Sequence, residues 1–147
     1  MKPVILRSLV AAVVALAGTA AAEEWNAFSR SSRTVYLADI GSINTLGDDT
    51  TIRIARVPLQ GAANDYSHSA EDIALRCSAK KSRTVLELEY GPDGVETDRI
   101  DSEDAAWEDI APNSLSSYVQ AVACEGARAP SANAASIKVF VDNGRGK

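Results

Sequence analysis

Residues 107–124 read W-E-D-I-A-P-N-S-L-S-S-Y-V-Q-A-V-A-C, and this stretch decides the fold. Pro112 disfavours helix in the residue before it, and Asn113 and Ser114 are residue types that cap helix N-termini. Leu115, Tyr118, Val119 and Val122 then recur at i, i+3, i+4 and i+7, which puts apolar side chains on one helical face. Glu125-Gly126 follows, and glycine at that point takes the positive φ that ends a helix. The segment therefore predicts one amphipathic helix whose apolar stripe must lie on something. Cys124 closes it, and the only other cysteine is Cys77.

The segments before this helix predict strands. Residues 25–29 and 34–39, separated by the polar turn Arg30-Ser31-Ser32-Arg33, read as a hairpin of β-branched and aromatic residues. Gly47-Asp48-Asp49 turns the chain into a strand over 50–59. There Ile52 and Ile54 hold one parity and Val57 and Leu59 the other, so a bulge near Ala55-Arg56 is expected to reconcile the phases. Residues 60–68 have no sustained period and read as a loop long enough to be exposed and to carry function. Alternation returns in Ile73, Leu75 and Cys77 against Asp72, Ala74 and Arg76, and again in Leu86, Leu88 and Tyr90 against Glu87 and Glu89. Gly91-Pro92-Asp93-Gly94 is a turn into a last hairpin strand at 95–100. Strands joined by short turns are antiparallel, so the class is α+β: about six antiparallel strands with one C-terminal helix packed on them. Residues 127–136 are small and read as a linker, and Ile137, Val139 and Val141 offer a late strand.

Composition and the leader place the chain. Lys2 and Arg7, an apolar run from Leu9 to Ala17, and Ala20-Ala21-Ala22 make residues 1–22 a signal peptide, too short in its apolar part to span a bilayer. The expected destination is the periplasm, the cell surface or the medium. No cysteine follows the apolar run, so no lipid anchor is expected. Removing Lys2 and Arg7 from fifteen Lys plus Arg leaves thirteen against twenty Asp plus Glu, a formal charge of −7. Nucleic acid is a poor partner for such a surface. Arg76, Lys80, Lys81 and Arg83 read as a solvated strand end. Two cysteines in an oxidising compartment argue for a Cys77–Cys124 bridge. On an ideal helix Cys124 lies opposite the Leu115, Val119, Val122 stripe, so either the helix frays before it or the bridge reaches it from the flank.

The sequence carries little that points to catalysis. His68 is the only histidine, has no metal-ligand spacing beside it and no nucleophile elbow elsewhere in the chain, and reads as a loop histidine. The carboxylates crowded at 98–109 match no calcium-loop spacing and read as a solvated acidic link. No cofactor, metal or catalytic residue is expected.

Trp25, Ser29, Arg30, Val35, Tyr36, Leu37, Ser42, Ile43, Cys77, Trp107, Ile110, Pro112, Ser114 and Cys124, in their order and spacing, make residues 23–126 resemble the surface-adhesin protein E family of bacterial exported proteins. The resemblance implies a small antiparallel sheet with a C-terminal helix, a disulfide between the matched cysteines and a tendency to form homodimers. It also implies binding of host matrix and plasma proteins; the leading expectation is a non-enzymatic exported domain that contacts a host matrix or envelope protein through a sheet edge or loops. Trp107 and Tyr36 are expected to fill the core. A periplasmic structural module without a host ligand, and a small-molecule or haem binder using the loop around His68, are the other two functions considered.

Overall fold

The computed structural model describes residues 21–147. The expected leader lies outside the described residues apart from Ala21 and Ala22. Six strands, β1 (Trp25–Arg30), β2 (Thr34–Leu46), β3 (Asp49–Pro58), β4 (His68–Arg76), β5 (Lys81–Tyr90) and β6 (Glu96–Asp101), pair antiparallel in chain order. A two-residue strand, β7 (Glu108–Asp109), pairs with the start of β5, while β6 pairs with its end. Two helices follow, α1 (Leu115–Glu125) and α2 (Ile137–Asp142).

Both faces of this sheet are covered, which explains the double phase of β3. Ile52 and Ile54 pack with Ala38, Ile73 and Leu75 beneath Val119 and Val122 of α1. Ala55 and Val57 belong to the other face, with Val35, Leu37, Leu88 and Trp25 beneath Ile137, Phe140 and Val141 of α2. The bulge expected near Ala55-Arg56 is absent: pairing runs unbroken from Thr34↔Pro58 to Asp39↔Arg53 and from Thr50↔Leu75 to Arg56↔Ser69. A strand buried on both faces needs no phase correction.

Helix α1 forms as its residues dictate. The Ser114 side chain accepts a hydrogen bond from Ser117 N–H at 3.2 Å, and Gly126 closes the helix at φ 73°. The Cys77–Cys124 bridge is present, with Cα atoms 5.8 Å apart, and Cys124 lies within the helix, which runs on to Glu125. The bridge therefore comes from the flank, where Gln120 also donates to the Cys77 carbonyl at 3.3 Å.

The last segment departs from expectation. Residues 137–142 are helical, not a strand, and Val139, which alternation would have placed inside, is 39% exposed. Ile137, Phe140 and Val141 are buried at i, i+3 and i+4. Both periods fit I-K-V-F-V, and the Ser136 side chain, accepting from Val139 N–H at 3.1 Å, caps the helical choice. Residues 127–136 are also no free linker. They run back along β1, where Trp25 and Ala134 exchange two backbone hydrogen bonds of 2.9 Å. Buried Asn26 accepts from Ala129 N–H at 2.9 Å and donates to Ala129 O at 3.2 Å and to Asn133 Oδ1 at 2.8 Å.

Candidate functional site

The two edges of the sheet differ in kind. All six residues of β6 are exposed, and Glu96, Asp98, Arg99 and Asp101 put charges along it. Charges on an edge strand discourage a further strand from adding to it. At the other edge Ala134 covers β1 at Trp25 only; beyond it, residues 27–30 have no strand on their outer side among the described residues. A groove of about 610 Å³ runs there, walled by Ala27, Phe28 and Val35 of the sheet and by Ala132, Ala134 and Phe140 of the returning chain. Arg30 is the one charged residue lining it, and its guanidinium donates to the Gly146 carbonyl at 3.2 Å. The register of β1 to β2 shifts between Ala27 and Ser29, so the edge is irregular there; unpaired strand backbone on either side of that bulge, beside a largely apolar trough, is a geometry that accepts a short extended peptide.

A second, smaller cavity of about 220 Å³ lies on the α2 face around His68. β4 begins at His68 and pairs it with Tyr90, so the two rings stack with centroids 4.3 Å apart and planes within 5°. His68 Nδ1 sits 2.7 Å from the Tyr66 carbonyl oxygen. A carbonyl only accepts, so Nδ1 carries the proton and Nε2 keeps its lone pair. Burial holds the imidazole pKa below its ordinary value, against the opposing pull of that carbonyl and of Glu23 and Glu89. Burial likewise pushes the Tyr90 phenol up. The partner that orients the ring through Nδ1 is thus a backbone carbonyl and not a carboxylate. The cavity is too small to enclose a porphyrin, being below the roughly 300–1,000 Å³ of drug-sized pockets.

The basic cluster is not simply solvated. Arg76 and Arg83 lie over the Trp107 ring, with guanidinium carbons 4.2 and 4.7 Å from its centroid. Arg76 also pairs with Asp49 at 2.9 Å, and Lys81 with Asp109 at 2.7 Å. Arg83 Nη1 donates to the Glu103 and Ala105 carbonyls at 2.7 and 3.3 Å. These contacts tie the 102–109 segment to the sheet through cation–π stacking and hydrogen bonds. Trp107 is therefore a half-buried clasp outside both core clusters, in place of the core aromatic expected of it. Tyr36 is half-buried too, across the β2–β3 pair from Arg56, and belongs to neither cluster. Trp25 is buried, and Pro112 sits exposed in the turn before α1. Of the acids near 98–109, Asp109 is paired with Lys81, and among the described residues no three metal-ligating side chains converge.

Two residues that sequence reasoning passed over shape these sites. Asn26, an amide inside a strand, was the signal for the returning chain. Arg145, buried, donates to the carbonyls of Pro58, Ala62 and Asp65 at 2.9, 3.0 and 2.7 Å and so fixes the loop that leads into His68. Comparison of the chain with protein-family models, with curated proteins and with solved structures returned no match.

Proposed function

We propose that this chain is a non-enzymatic exported binding module that takes an extended segment of a partner protein along the open outer edge of β1. The observation that carries the reading is the pairing of an uncovered stretch of strand backbone at 27–30 with an apolar groove of about 610 Å³. Main-chain hydrogen bonds would supply affinity, and the walls of Ala27, Phe28, Ala132 and Phe140 would select apolar side chains on alternate residues. Arg30 is the single charge in a lining whose other polar members are Ser29, Ser131, Asn133 and Asn143, so the segment that fits best carries a carboxylate at the end beside it. The disulfide is compatible with an oxidising compartment, in keeping with the periplasmic or surface location expected of the leader. Protein binding, though not its place on the fold, is also what the resemblance to the surface-adhesin protein E family implies.

Peptides selected from a displayed random library on the folded protein test this. Bound peptides are expected to alternate in apolar character, to carry an acidic group at one end and to protect from exchange the outward-pointing amides of Ala27 and Arg30. Ala132→Trp, which fills the groove, should weaken them at least tenfold. Arg99→Pro should leave them unaffected: Ser102 N–H pairs with Val85 O, so by alternation the Arg99 N–H points away from β5. Selected peptides that protect β6 instead, or that bind Ala132→Trp as tightly, would overturn the assignment.

A further inference from the structure

We infer that the cavity around His68 is a second binding site, separate from the β1 groove, for a neutral hydroxyl-bearing ring the size of one sugar residue. The walls are pinned by contacts of their own. Tyr66 is held by its hydroxyl, which donates to Asp142 Oδ1 at 2.8 Å and accepts from Lys138 Nζ at 2.6 Å, with the Lys138 ammonium 4.0 Å from its ring centroid. Trp25 Nε1 donates to Glu23 at 2.8 Å, and Arg53 is bound by both oxygens of Asp72 at 2.7 and 2.9 Å. His68 is fixed by the Tyr66 carbonyl below and by Tyr90 against its face. Side chains locked in this way form a pre-organised wall, and binding there costs little rearrangement.

What remains unengaged defines the ligand. Nε2 of His68 has no partner among the described residues, and on a neutral imidazole it can only accept a hydrogen bond. The ligand must therefore bring a donor. Charges lining the cavity balance, Glu23 and Asp93 against Arg53 and Lys138, so no net field selects an anion or a cation. Trp25, Tyr66 and Tyr90 contribute apolar ring surface. A pyranose offers hydroxyl donors around its rim and C–H faces to aromatic rings, and a volume of about 220 Å³ is room for one such ring.

A chain with a single histidine makes the test direct, because every imidazole resonance belongs to His68. Methyl glycosides of glucose, galactose, mannose and N-acetylglucosamine are titrated into the intact protein while the imidazole nitrogens are followed by NMR. At least one is expected to move the Nε2 resonance saturably and to leave the amides of residues 27–30 unmoved, which separates this site from the groove. His68→Phe keeps a flat ring on Tyr90 without the acceptor and should weaken that glycoside at least tenfold at an unchanged melting temperature. Should the variant fail to fold, the titration of the natural protein decides alone. No imidazole response to any of the four at tens of millimolar, or equal affinity for His68→Phe, overturns the inference.

Discussion

Asn26 and Ala129, 103 residues apart, exchange two hydrogen bonds in which one side-chain amide satisfies both the N–H and the carbonyl of the returning chain. Asn26 is 1% exposed, while Ala129 is half-buried and Asn133 exposed, so the loss falls on the clamp itself and water can reach part of the partners it releases. Asn26→Ala is expected to cost about 2 kcal/mol, below the sum for three fully buried hydrogen bonds, and to lower the melting temperature by about 6 °C. Limited proteolysis should then cut within residues 127–136 first. An unchanged melting curve would mean that this clamp holds nothing.

The bridge between Cys77 and Cys124 closes 47 residues of chain around β5, β6 and β7. The denatured, unreduced protein should show no free thiol, and two after reduction. Reducing it, or replacing Cys124 by Ser, should remove roughly 4 kcal/mol of stability on the chain-entropy scale. A urea midpoint that does not move on reduction would contradict this.

Val119 is 0% exposed and faces Ile52, Ile54 and Leu75. Val119→Asp places an unpaired carboxylate there, at a cost above about 4 kcal/mol, and is expected to leave the domain unfolded by circular dichroism. Tyr118, on the same helix but 46% exposed, should tolerate Tyr118→Asp with a loss within about 0.5 kcal/mol.

Stability should also depend on pH through His68. Burial lowers its pKa in the folded protein, so the unfolded chain, with an ordinary value near about 6.5, takes up the proton first. The contribution is therefore complete above that value and is lost as pH falls through the folded pKa. The natural protein should lose stability relative to His68→Phe between about pH 7 and pH 5, with the two curves parallel above pH 7. Parallel curves throughout would place the imidazole in water in both states.

Local pattern made much of this legible and distance in the chain hid the rest. Helix α1 was readable because Asn113, Ser114 and Gly126 mark its ends and Val119 and Val122 its buried face. The strands from β1 to β6 were readable from alternation and turn residues. Double burial of β3 was visible as two apolar parities, and misread as a bulge because nothing nearby announced a second covering layer. That layer is α2, whose six residues satisfy both periods, and whose place depends on Asn26 and Trp25 more than 100 residues earlier. The His68 cavity was half legible: the loop and the histidine were marked, while Tyr90, Arg53 and Lys138 reach it only through sheet register and the returning chain.

Arg145 anchors three carbonyls between Pro58 and Asp65, and Ala134 lies against Trp25. A nascent chain still short of these residues owns every strand of its sheet and lacks the cover for one side of it. One side of the sheet is thus sealed only once residues 134–145 have been made, and until then the surface destined for α2 lies open around the growing polypeptide.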